Sequence, residues 1–360
     1  MSVRYIGSKA RVSGVIADLA GSPSGTGVFV DGFCGTGVVA EAAADQGWSV
    51  RLNDHLTSSV ITSAARLAAS SDVPFAELGG YQNALRQLNE LPPVAGFITA
   101  QYSPASVRHA GLERRYFTEA NASRIDTIRA QITAWRANGA VSQLEEWLLI
   151  ADLLAAANRV ANIAGTYGCF LREWSSTGLR ALELQPRTLR TCPVGVDVHI
   201  GDVAHVPVTS EDVVYFDPPY TKRQYAAYYH ILETIAVGDQ PEVEGVTGLR
   251  PWRHLASDFC YRKRALKALT SLVRDCPADR VLLSYSSEGH VAREDLEAAL
   301  RPLGKLVVHS LGDIGRYRPN LAAVRKAESV HEYVFELRRT ARPIGTVPAG
   351  SGQLTTQGAA

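Results

Sequence analysis

The chain has 360 residues, 46 % of them apolar and 20 % charged, and a formal net charge of +1. This leaves room for one large α/β domain plus a second module, or for two compact domains of ordinary globular composition. It excludes the global basic field of a histone-like nucleic-acid binder.

Only six of the 37 cationic side chains are lysine. Arginine's planar fork suits phosphates and guanine edges, although a GC-rich coding sequence gives the same bias. Cys34, Cys169, Cys192, Cys260 and Cys276 are odd in number and scattered, with no CxxC pair and no zinc spacing. They read as reduced thiols of a cytoplasmic protein, and no metal is expected. Residues 1–11 hold no apolar signal region. The most apolar stretch, 147–164, is broken by Asp152, Asn158, Arg159 and Asn162, so no membrane span is expected.

In chain order, residues 28–30 are a short β-branched and aromatic run that predicts a buried strand. It opens into Asp31-Gly32-Phe33-Cys34-Gly35-Thr36-Gly37. A helix is expected over 38–46, stopped by Gly47, then a strand over 48–52 ending at Asn53-Asp54. Strand, glycine turn, helix, strand and acid begin a parallel nucleotide-binding sheet. Helices are expected over 58–69, 81–91, 120–138 and 143–163. That stretch is too long for a βα connection and reads as an inserted helical module. Strands follow at 196–200, ending at Gly201-Asp202, and at 212–216, running into Asp217. Residues 238–252 read as a loop, 281–284, 306–308 and 332–337 as further strands, and 341–360 as a disordered tail.

Three glycines let the 31–37 turn bend sharply and let a ligand approach the backbone, and the helix start behind it can donate amides to an anion. The spacing is neither G-x-G-x-x-G nor a P-loop, which disfavours a nucleotide-dependent oxidoreductase. Asp54, after the second strand, can accept both hydroxyls of a ribose. Its alternative is a cap for the helix that follows. Asp202 occupies the same kind of position and can accept from an adenine amino group, or be an ordinary loop aspartate.

The sharpest signal is Val213 to Phe216 delivering Asp217-Pro218-Pro219-Tyr220. A strand's carboxyl end is where open α/β sheets bind ligands. The prolines remove two N–H donors and leave carbonyls that only accept. Asp217 and the Pro218 carbonyl can therefore take the two hydrogens of an NH₂ group. Such an amine is a poor nucleophile while its lone pair is delocalised into a ring. Two acceptors draw it toward tetrahedral geometry and stabilise charge developing on nitrogen. Tyr220 offers a ring face to a base that has left its duplex.

With these motifs in this order, the sequence resembles the DNA adenine methylases, amino-methyltransferases whose cofactor motifs precede the catalytic tetrapeptide. Arg4-Tyr5-Ile6-Gly7-Ser8-Lys9 looks like their first motif. The resemblance implies S-adenosylmethionine as cofactor, with Tyr5 and Lys9 on its methionine part. It places Asp31, Phe33, Gly35, Gly37, Asp54 and Asp202 in its pocket. Residues 166–171, 225–233, 283–289, Arg316-Tyr317-Arg318 and Glu332-Tyr333-Val334 resemble later segments, the first and the last two of the restriction-associated members. The fold expected is a Rossmann-like α/β methyltransferase domain made of 1–56 and 195–340, with 57–194 as a helical target-recognition insert. The activity implied is methylation of adenine N6 in double-stranded DNA, with a cognate restriction endonuclease as a possible partner. Cytosine N4, adenine in RNA and a DNA-binding protein without catalysis are the alternatives. Lys222 and Arg223, beside the tetrapeptide, are candidates for flanking phosphates. Arg114 and Arg115 in the insert and Arg318 are candidates for the same duplex.

Overall fold

The computed structural model describes residues 9–314 and 330–339. Tyr5, Arg316 to Arg318 and the 341–360 tail lie outside the described residues. The strands are β1 (Phe29–Asp31), β2 (Val50–Asp54), β3 (Val196–Ile200), β4 (Val213–Phe216), β5 (Arg280–Ser286), β6 (Lys305–Ile314) and β7 (Val330–Arg338). The helices are α1 (Ser13–Ala20), α2 (Val38–Asp45), α3 (Thr57–Leu67), α4 (Tyr81–Glu90), α5 (Phe97–Tyr102), α6 (Val107–Ala110), α7 (Glu119–Ala137), α8 (Gln143–Val160), α9 (Tyr225–Tyr228), α10 (His230–Val237), α11 (Arg262–Asp275) and α12 (Arg293–Leu300).

The described strands form one sheet in the order β3-β2-β1-β4-β5-β7-β6. β1 to β5 run parallel, and β7 enters antiparallel between β5 and β6. The chain first steps outward from β1 to β2 and β3, then returns to lay β4 on the other side of β1. The order therefore reverses between β1 and β4, and the carboxyl ends of these two strands flank the crevice where such sheets bind ligands. Asp31 ends β1, and Asp217 follows β4 directly.

Two apolar layers cover the sheet. α1, α2 and α3 pack with Phe29, Leu52 and Tyr215 on one face, and α11 and α12 with Val214, Leu283 and Phe335 on the other. This two-sided burial explains why β1 and β4 read as unbroken apolar runs. β3 departs from expectation, because it is an edge strand with Val196 and Ile200 exposed. The second strand also begins later than residue 48. Trp48 lies below it, buried, donating to the Gly21 carbonyl at 2.6 Å, and Asn53 and Asp54 belong to β2 itself.

Residues 57–194 add no strand to the sheet. α3 lies against β2 and β3, while α4, α5, α7 and α8 build a further apolar core. That core also takes in Tyr229, Ile231, Leu232 and Ile235 from α9–α10, the segment after the tetrapeptide. Polar contacts tie the same parts together. The Tyr167 amide donates to the Tyr228 carbonyl at 2.9 Å, and Arg129 of α7 donates to the last carbonyls of α10, 2.8 Å to Ile235. The 166–171 and 225–233 segments, far apart in sequence, thus lie together.

Glu233 makes the closest such tie. α3 has no side-chain cap of its own, and Glu233 supplies one from α10, accepting from the Thr57 and Ser58 amides, both at 2.9 Å, and from the Ser58 hydroxyl at 2.7 Å. Glu233→Ala leaves those buried amides without an acceptor. We expect it to lower unfolding free energy by about 1–3 kcal/mol in chemical denaturation, with Glu233→Gln losing less.

Candidate active site

A cavity of about 420 Å³ opens at the switch point between β1 and β4. Lys9, Asp31, Phe33, Gly35, Asp54, Asp202, Asp217 and Pro219 all line it. The glycine turn forms one wall. The Gly32 amide donates to the Tyr215 carbonyl at 2.9 Å and the Cys34 amide to the Asn53 carbonyl at 2.8 Å, stitching the turn across β1, β2 and β4. Phe33 stands edge-on between Phe216 and Phe259, with ring centroids 6.2 and 5.7 Å away.

Of the glycines of the turn, Gly35 lines the cavity and Gly32 and Gly37 do not. Gly37 starts α2 at a φ of 75°, and a Cβ there would stand 2.8 Å from Ser63 Cα. Its freedom serves the close approach of α3 to the turn.

Asp54 holds the backbone on either side of β2's end and does not itself cap α3. Oδ2 accepts from the Gly35 amide at 3.1 Å, and Oδ1 accepts from the Leu56 amide at 3.0 Å. The first bond shapes the glycine turn and the second a tight bend before α3. The cap of α3 itself is Glu233. The Ser59 hydroxyl donates to the same carboxylate, which also lines the cavity. Burial raises the Asp54 carboxyl to about 6. Asp202 is exposed at the cavity rim, and its Oδ1 caps a short 3₁₀ turn through the Ala204 amide at 3.0 Å.

Asp31 is 1 % exposed, and its Oδ1 has no hydrogen-bond partner among the described residues. Burial first, then the nearby Asp217 charge, raises its carboxyl to about 8. The Phe33 and Ala40 amides donate to the carboxylate, and a buried oxygen left without a partner is costly. In a ligand cavity it fits a cationic or hydrogen-bonding group of the ligand.

Asp217 is held in an ion pair with Lys9, Nζ to Oδ1 3.1 Å. Lys9 also reaches Glu332 Oε2 at 3.2 Å and lies 5.3 Å from the Tyr220 ring centroid. Tyr220 is half-buried, edge-on to Tyr285 at 5.9 Å, with its hydroxyl 3.5 Å from Glu332 Oε1. Pro218 is buried. Burial holds the carboxyls of Asp217 and Glu332 above the usual carboxylate range, and the Lys9 ammonium between them offsets only part of that rise. Lys9 stays protonated, because its carboxylate partners outweigh the cost of its burial.

Sequence reasoning does not find the far wall. Ser257, Asp258 and Phe259 line the cavity, and the Gln224 side chain clamps Ser257, accepting from its amide at 3.0 Å and donating to its carbonyl at 3.3 Å. No periodicity or motif marks this segment. Glu332 falls within a recognisable motif, but its sequence context gives it no role.

The basic candidates divide. Lys222 and Arg223 are exposed beside the tetrapeptide, and the Cys260 thiol bonds the Arg223 carbonyl at 3.3 Å, which brings the exposed 262–264 basic run to the same rim. Arg114 is a correction. It is 2 % exposed, and its guanidinium donates to the carbonyls of Gln101, Gly245 and Val246. Its donors are used in holding the 243–249 loop, so it is not a phosphate contact. Arg115 is part-exposed, but its fork is taken by Glu113 and the Arg172 carbonyl. Tyr116 and Phe117, which with these arginines resemble a basic-aromatic patch in the sequence, are core. Among the described residues no group of three or more His, Cys, Asp and Glu side chains is placed to hold a metal ion, and no helix is long and apolar enough to cross a membrane.

A doubly wound sheet with acids at the ends of β1 and β2 and Asp-Pro-Pro-Tyr at the end of β4 defines a Rossmann-like methyltransferase fold and site. The model of the D12 class N6 adenine-specific DNA methyltransferases matches residues 5–296, and the chain belongs to that family. It is 34 % identical over 350 residues to the type II methyltransferase M.FokI of Planomicrobium okeanokoites, covering 94 % of this chain and 53 % of that protein. It is 30 % identical over 345 residues to the modification methylase StsI of Streptococcus sanguinis, covering 94 % and 52 %. It is 31 % identical over 346 residues to the type II methyltransferase M.NlaIII of Neisseria lactamica, covering 94 % of this chain and 100 % of that protein. The chain thus spans about half the length of the first two relatives and all of the third. No solved structure matches it.

Proposed function

We propose that the chain transfers a methyl group from S-adenosylmethionine to N6 of adenine at a specific site in double-stranded DNA. The observation that carries this reading is the meeting of Asp31, Asp54 and Asp217 in one cavity at the switch point of the sheet. The cofactor supplies an activated methyl on a sulfonium. Asp54 suits the ribose hydroxyls, Asp202 the adenine amine, and the unpartnered Oδ1 of Asp31 the cofactor's ammonium. Asp217 and the Pro218 carbonyl accept the two hydrogens of the target amine, so its lone pair turns toward the methyl carbon. Transfer would leave the C–S electron pair on sulfur as a neutral thioether while Asp217 and the Pro218 carbonyl hold the amine, whose nitrogen would pass one proton to solvent. In-line placement of amine and methyl supplies much of the acceleration.

Adenine reaches this crevice only by leaving the duplex, with Tyr220 as its stacking partner. The exposed rim at Lys222, Arg223 and 262–264 suits the flanking phosphates. Residues 57–194, read as a target-recognition module, would contact the site's bases. The relatives' names as type II and modification methylases support a companion restriction endonuclease as partner. Expression in a methylation-deficient host with long-read mapping of modified bases tests the reading. N6-methyladenine at one short motif is expected; N4-methylcytosine, or unmodified DNA, would refute it.

The rim carries its own prediction. Replacing both Lys222 and Arg223 with alanine should weaken DNA binding uniformly across sequences. It should reduce the slope of log affinity against log salt by about 2, one for each phosphate that is no longer neutralised. Fluorescence anisotropy over a salt series measures this. An unchanged slope would place the phosphates elsewhere.

A further inference from the structure

Glu332 faces inward from β7, opposite Ser286 of β5, and is 5 % exposed. A carboxylate in the middle of a sheet is expensive unless it is paired. Its partner is Lys9, which arrives from the start of the described chain and is itself buried. Glu332 and Asp217 thus share one ammonium, at 3.2 and 3.1 Å.

The sharing has an electrostatic consequence. Lys9 paired with Asp217 alone would form a neutral pair, and Asp217 would offer the target amine little negative charge. With Glu332 as a second counter-ion the three groups, with both carboxyls ionised, carry a net charge of −1. Lys9 can then steer and hold the Asp217 carboxylate while the charge needed by a nitrogen turning cationic is preserved. The second Glu332 oxygen faces the Tyr220 hydroxyl at 3.5 Å, so the same side chain also braces the ring of the tetrapeptide.

We infer that Glu332 is a positioning residue for methyl transfer: by sharing the Lys9 ammonium it keeps Asp217 both oriented and negatively charged toward the amine. The inference rests on the methyltransferase reading above. It predicts a loss in the transfer step, because Glu332 is not among the residues lining the cavity.

The test is single-turnover methylation of duplex DNA by the full chain at saturating cofactor and DNA, with S-adenosylmethionine affinity measured by calorimetry. Glu332→Gln should lower the transfer rate about 10- to 100-fold, with the cofactor Kd within about twofold of wild type. Glu332→Asp keeps the charge and should stay within about fivefold of the wild-type rate. In a Lys9→Met background, Glu332→Gln should change the rate less than about threefold, because the group it acts through is gone. A wild-type rate in Glu332→Gln overturns the inference. So does an equal loss in the Lys9→Met background, or a loss that Glu332→Asp fully shares, since a packing role alone would give either. A wild-type chain that transfers no methyl overturns the methyltransferase reading, and this inference with it. An active wild type with an unaffected Glu332→Gln overturns this inference alone.

Discussion

Asp217→Ala is expected to lower methyl transfer by at least about 1000-fold while S-adenosylmethionine binding changes only a few-fold. Loss of one preorganised group that stabilises transition-state charge costs about 10²–10³-fold. On the proposed mechanism Asp217 would do more than one such group, both accepting an amine hydrogen and supplying the charge that answers the nitrogen's. The fold should survive. Lys9 keeps Glu332 as a partner at 3.2 Å, so no buried ammonium is stranded. Asp31 and Asp54, proposed above to hold the cofactor, stand on other strands. Asp217→Asn retains one acceptor oxygen without the charge and should fall between the two. A labelled-methyl single-turnover assay beside calorimetry separates chemistry from binding. Near-normal turnover in Asp217→Ala would remove the tetrapeptide from the mechanism.

The places where sequence reading succeeded share a physical cause. β1 and β4 are buried on both faces, so their residues form apolar runs with sharp ends, and β2 is placed by the glycine turn and helix before it. Asp31, Asp54 and Asp217 are legible because each stands where such a run stops. The central order of the sheet was not legible, nor was the insertion of β7 between β5 and β6. Glu332 shows why. In Val-His-Glu-Tyr-Val-Phe-Glu-Leu, glutamates at alternating-strand spacing read as the wet side of the strand. That face is internal: Val334 packs under the α1–α2 layer, Arg280 and His309 pair Glu336, and Lys9, 323 residues away in sequence, pairs Glu332. Arg114 fails in the same sense. Beside Arg115 it reads as surface charge, yet the 243–249 loop folds its carbonyls around the guanidinium. Glu233, capping α3 from α10, lies 175 residues from Ser58. In all three, a polar side chain is satisfied by a distant part of the chain, and local pattern carries no trace of the partner.

Asp54→Ala should weaken S-adenosylmethionine binding about 10- to 100-fold, since hydrogen bonds to a charged acceptor contribute about 1.5–3 kcal/mol. Part of that loss is indirect, because Asp54 also holds the Gly35 amide of the turn. Asp54→Asn, which keeps one acceptor oxygen for that amide, should recover the indirect part only. A pH series distinguishes the ribose role from turn support. The Asp54 carboxyl is raised to about 6 and that of Asp31 to about 8, so below those values each tends to hold a proton. A ligand that needs the carboxylates must displace those protons. Affinity should therefore rise as pH increases from about 5 toward 8, by up to about tenfold per unit for each proton released. Above about 8 it should fall again, as an α-ammonium loses its own proton. In Asp54→Ala the rise between about pH 5 and 6 should lessen from about two protons' worth per unit to about one, while the rise from about 6 toward 8, belonging to Asp31, persists. An unchanged Kd in Asp54→Ala would refute the ribose role. Loss of affinity with the low-pH rise intact would show instead that Asp54 acts only through the turn.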